Sequence, residues 1–289
     1  MARHAGKVGP PFRPFSDIAL PMIHQLTDPQ TSMSASPADV AAADIAPQSA
    51  TPRFTSSFYL WHLLPLVFLL AALVVMMNGV DQHVADALFR WEGMHWALRD
   101  NPFTSHVVHR LGKRFSTVLW LAFAIALVLS WRNPRRRAWR RPLAYVLLAV
   151  AISTIVVTMI KSLTHMDCPW DLLRYGGDRA FVGLFEPRPP GMAEATACFP
   201  AGHASGGYAW LALYFFLGTV KPRWRWAGLA FGLGLGLLFG ISQQLRGAHF
   251  VSHDIATLMC CWFVALSLHW WMLRDRAALP GTHPLPAAT

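Results

Sequence analysis

Residues able to do chemistry fall at four separated places in this chain: Lys161, the run Pro200-Ala201-Gly202-His203, Arg246, and His249 followed by His253 and Asp254. The second lies within Cys198 to Gly207, where a polar loop turns into an apolar run. A proline and a glycine close that loop with a tight turn, and the small residues after His203 let backbone approach a bound group at a helix N-terminus. Free amide N–H groups at such an end suit an anion, and a neighbouring histidine is placed to pass a proton to a leaving oxygen. Phosphate chemistry is the first reading, although a helix start with a buried histidine would account for the same fragment. His249 and His253 also stand one helical turn apart, a spacing that can hold zinc or another transition metal. His165 and His203 would complete such a site, giving a metal-dependent membrane enzyme or a metal transporter. That alternative leaves Lys161 and Arg246 as repulsive neighbours of a cation.

The elements that must position these groups are apolar. Of 289 residues, 54% are hydrophobic and 14% charged, with 13 Trp and 18 Phe, the balance of a polytopic membrane protein. Six apolar runs, Phe58 to Val80, Phe115 to Trp131, Leu143 to Ile160, Ala204 to Val220, Ala227 to Ser242 and Ile255 to Leu273, each come near the length needed to cross the hydrocarbon core. The expected fold is therefore all-α, a six-helix transmembrane bundle over residues 58–274. A net charge of +10 does not imply nucleic acid, because the basic residues gather in short connections such as Arg132 to Arg141, Lys221 to Arg225 and Arg274 to Arg276. With six spans these connections share one side, and the positive-inside rule makes it the cytoplasm, with both termini. The outer ends of the last four spans then bring Lys161, His203, Arg246, His249, His253 and Asp254 to one face. Ionisable groups at span edges are costly unless they face water or each other, so their gathering argues for a site. Snorkelling explains Lys161 alone better than it explains the set.

Gly228, Gly232, Gly236 and Gly240 recur every four residues along the fifth span and put a groove on one helix face for close packing. Residues 1–57 read as a disordered cytoplasmic tail and 275–289 as a short second one. Two outer segments mix aromatic and charged residues. Asp81 to Arg114 includes an interfacial helix and brings His109, Lys113 and Arg114 to the outer side, and Ser162 to Phe199 caps the helix ends or meets an amphiphile's headgroup.

Taken together, Lys161 separated by six residues from Cys168-Pro169, Pro200-Ala201-Gly202-His203, and Gly247-Ala248-His249 leading to His253-Asp254 resemble the type 2 phosphatidic acid phosphatase superfamily. Its motifs are Lys-x6-Arg-Pro, Pro-Ser-Gly-His and Ser-Arg-x5-His-x3-Asp. Here Cys168 replaces the first arginine, Ala201 the serine and Gln243 the second arginine, and Asp254 lies one residue late. Arg246, three residues after Gln243, is on nearly the same face of a continuing helix and could supply the lost guanidinium. Arg174 or Arg179 could supply the other.

The resemblance implies a lipid phosphatase, a metal-independent phosphoric monoester hydrolase without cofactor at the outer face of the bacterial cell (inner) membrane. His249 would form a phosphohistidine and His203 would protonate the leaving oxygen. Asp254 or His253 would orient His249, while Lys161, Arg246, Arg174 and the amides of Ala201 and Gly202 would bind phosphate. Candidate substrates are undecaprenyl diphosphate, phosphatidylglycerol phosphate, phosphatidic acid and lipid A. A phosphotransferase with the same intermediate and a relative that binds headgroups without turnover are further alternatives. Cys168 and Cys198 each abut a motif and fall on the oxidising side, which implies a disulfide between the first two motifs, whereas Cys260 and Cys261 lie in the sixth span.

Overall fold

The computed structural model describes residues 55–274, the side chain of His109 excepted. Most of the expected N-terminal tail and all of 275–289 lie outside the described residues. What is described is helical, with no strand among the described residues beyond a single bridge between Leu172 and Arg179.

Helix α1 (Ser56–Val75) starts where the Thr55 hydroxyl accepts from Phe58 N. Among its residues only Tyr59 is buried, the pattern of a peripheral helix turned to lipid. A kink at Asn78 and Gly79, where Gly79 adopts φ 102°, separates it from α2 (Asp81–Trp91). Helix α2 is amphipathic, with Asp81, Ala85 and Phe89 buried at four-residue spacing. A π-helical stretch, Phe103–Leu111, leads into α3 (Gly112–Arg132). Helix α4 (Arg137–Leu163) is the central one and packs against α3, the last helix (α8, Val251–Met272) and the helices of the fourth apolar run. Its Tyr145, Val146, Ala149 and Val157 are fully buried, and the Tyr145 hydroxyl donates to the Ala265 carbonyl.

Among the described residues five helices are long and apolar enough to cross a membrane, one fewer than the apolar runs lead one to expect. The exception is the fourth run, which divides into α5 (Gly202–Tyr208), a tighter 3-10 turn at Ala209–Leu211 and α6 (Ala212–Val220). Neither piece spans a bilayer alone. The break coincides with a tie to α3: Ser116 Oγ donates to the Gly206 carbonyl and accepts from Trp210 Nε1.

Helix α7 (Arg225–Leu245) lays its four spaced glycines against this broken segment and α8 (Val251–Met272). A Cβ at Gly228 or Gly232 would meet the backbone of Leu213 or Leu211, one at Gly236 the Tyr208 ring, and one at Gly240 the Asp254 carboxylate. Across the seam, a Cβ at Gly207 would lie 2.5 Å from Gly236 Cα. The groove expected from the sequence thus seats both a helix and an acidic side chain. Replacing Gly207 with valine should destabilise the protein by about 1 to 3 kcal/mol or more, as overpacking does. Thermal unfolding in detergent measures this, with Gly218→Ala, where a Cβ meets nothing within 4 Å, as the neutral comparison.

Candidate active site

The site is assembled by the loop ends of α4, α5, α7 and α8. Helix α7 stops at Leu245 because Gly247 takes φ 69° and closes a Schellman turn, with Gly247 N donating to the Gln244 carbonyl and Ala248 N to that of Gln243. The chain then reverses through His249 into α8. Phe250 at the N-cap of α8 offers no side-chain cap; Asp81, on α2, takes over, its Oδ1 accepting from Ser252 N at 2.9 Å.

Backbone contacts join the three motif regions. Ala201 N donates to the His253 carbonyl at 3.1 Å, and Thr257 Oγ1 donates to the carbonyls of both residues. Trp170 N donates to the Gly247 carbonyl, and Thr164 Oγ1 donates to the carbonyl of Phe199. Cys168 and Cys198 are bonded through sulfur, with Cα atoms 5.3 Å apart, next to a Cys198 N–H bond to the Met166 carbonyl.

Lys161, Gly202 and His203 line one cavity of about 530 Å³ between α3, α4 and α5. A Cβ built at Gly202 would sit 3.7 Å from Lys161 Nζ, and the His203 ring lies 4.7 Å, centroid to centroid, from Phe239. The cavity follows α4 from Lys161 to Val150, roughly 16 Å at helical rise, from cationic groups to an apolar floor that includes Trp120. Among the described residues that line it, none is acidic. His249 and His253 are not on this wall. Both are buried, His249 at 7% exposure, and their Nδ1 atoms are 3.2 Å apart. Burial first, then the neighbouring His253, Lys161 and His203, hold the His249 imidazole well below its ordinary pKa, so it is neutral at physiological pH.

Several expected residues sit elsewhere. Asp254 does not face His249: one residue further round the helix than His253, it enters the Gly240 notch and accepts from Gln244 Nε2 at 2.9 Å. The structure therefore pairs His249 with His253 and leaves Asp254 to join α7 and α8. Ala201 spends its amide on His253, so it is not available to phosphate. Arg174 forms a two-point pair with Asp86, at 2.7 and 2.5 Å. Arg179 and Arg188 both pair with Asp167, at 3.1 and 2.8 Å. Burial opposes charge on Asp167, but the Thr196 amide and these two guanidinium groups outweigh it and hold its carboxyl below the usual range. Arg246 reaches Gln243 Oε1 weakly, at 3.4 Å, and otherwise donates to the Arg99 carbonyl and lies over Trp170. None of these arginines lines the cavity. Sequence reasoning passed over Asp81 as a cap, Gln244 and Phe239, since no local pattern marks them. Among the described residues no group of three or more His, Cys, Asp and Glu is placed to hold a metal ion, so the His165 and His203 completion of a zinc site has no geometric support.

Comparison with known proteins fits this arrangement. Residues 142–277, the segment that contains all three motif regions, match the family model described as the PAP2 superfamily. No curated protein and no solved structure matches the chain.

Two measurements test the framework of the site. Mass spectrometry of non-reduced, alkylated peptides should recover Cys168 joined to Cys198, and full alkylation of both in protein from an oxidising compartment would refute the bond. Asp81→Ala strands a buried N–H at Ser252 and should lower unfolding stability by about 1 to 3 kcal/mol, with Asp81→Asn recovering much of it because an acceptor oxygen remains.

Proposed function

We propose that the protein is a membrane phosphatase that releases phosphate from a lipid phosphate or diphosphate monoester through a phosphohistidine, without a metal. The observation that carries this reading is the meeting of Lys161 and His203 on one acid-free cavity wall, inside a segment that matches the PAP2 superfamily model. The cavity's gradation from cationic groups to an apolar floor suits a phosphate attached to a hydrocarbon chain.

In this reading a His249 nitrogen attacks phosphorus as the bond to the lipid oxygen breaks, and His203 gives that oxygen its proton. Water then attacks the phosphorus–nitrogen bond, His203 takes a proton from it, and inorganic phosphate leaves with the imidazole restored. His253, in contact with His249 Nδ1, fixes which His249 nitrogen faces phosphorus. Lys161 stabilises charge on the transferred oxygens. The orientation that accompanies this proposal has six crossings, with the broken fourth run as one of them, both termini in the cytoplasm and the site on the outer side of a bacterial inner membrane.

Purified protein assayed against a panel of lipid phosphates in the presence of chelator should release phosphate, and His249→Ala and His203→Ala should each lower kcat at least about 100-fold while remaining folded. Chelator-sensitive turnover, or near wild-type activity in His249→Ala, would overturn the reading. Phosphorylated lipid appearing in place of free phosphate would assign a phosphotransferase instead.

A further inference from the structure

The cavity wall contains a second cation outside the family-matched segment. Lys113, in the first turn of α3, lines the same space as Lys161 and His203. Its placement is enforced. A Cβ at the adjacent Gly112 would run into the Phe239 ring, and that ring lies against His203. One turn further along, Ser116 ties α3 to α5 through Gly206 and Trp210. The backbone carrying Lys113 is thus held against the elements that carry His203.

The arginines that could bind phosphate are occupied: Arg174 with Asp86, Arg179 and Arg188 with Asp167, and Arg246 with the Arg99 carbonyl and Trp170. Cys168 and Gln243 stand where the resembling motifs have arginine, so a phosphate held by Lys161 alone would keep excess negative charge. We propose that Lys113 is the second phosphate-binding cation of this site, reaching the substrate from α3. The inference rests on the functional reading above and extends it: the ammonium groups of Lys113 and Lys161, from different helices, hold the non-bridging oxygens of a lipid phosphate while its chain lies along the apolar floor.

The test uses full-length protein, dioctanoyl phosphatidic acid in detergent, and inorganic phosphate as both competitive inhibitor and stabiliser against thermal unfolding. Lys113→Met should raise KM and weaken phosphate inhibition by about 10-fold or more, the loss expected for a charge-assisted bond. Lys113→Arg should stay within about 3-fold of wild type, because the charge is kept. Arg114→Gln, an exposed change outside the cavity lining, should leave both unchanged. Unaltered KM and phosphate affinity in Lys113→Met would overturn the inference, whether or not kcat falls. If the wild type hydrolyses no lipid phosphate, the functional reading fails, yet stabilisation by phosphate that depends on Lys113 would still support the binding site and its absence would end it.

Discussion

The first turn of α8 is where the molecule is held together. The His253 carbonyl accepts the Ala201 amide, its side chain meets His249, and the N–H of the preceding residue is capped by Asp81. Three chain segments remote in sequence converge there by hydrogen bonds that a dry interior makes costly to leave unmade. The glycine face of α7 makes the convergence possible. Without close approach at Gly236 and Gly240, neither Tyr208 nor Asp254 would have space, and α5 and α8 could not bring His203 near His249.

Polar satisfaction and charge are separated in this protein. Carboxylates are used structurally: Asp254 joins α7 to α8, Asp81 caps the start of α8, and Asp86 and Asp167 hold Arg174, Arg179 and Arg188. The cavity is left with cations and hydroxyls. Such a distribution favours an anion without any single residue having to pay the whole desolvation cost of binding it.

Much of this was legible in the sequence, and the failures have local causes. Apolar runs announced the helices because lipid demands continuous hydrophobicity, and four glycines at a four-residue period announced the packing face. Arg246 does share a face with Gln243, which it reaches at 3.4 Å, but its guanidinium also donates to the Arg99 carbonyl and lies over Trp170, contacts from distant chain that counting along a helix does not contain. The sequence left Asp254 and His253 open as the partner of His249; one residue on a helix is a rotation of about 100 degrees, and it is His253 that meets His249 while Asp254 meets Gln244. The break in the fourth run and the cap from Asp81 depend on contacts with distant chain, so no window of local sequence contains them.

The cap at Ser252 also says where the working unit begins. Asp81 precedes the PAP2-matched segment by some sixty positions, yet without it the helix carrying His253 starts with a stranded donor. A fragment cut at the family boundary would keep every motif and lose the carboxylate that starts α8. Helix α2 is thus part of the folded unit that holds the candidate site, and the family match alone would draw its border too far into the chain.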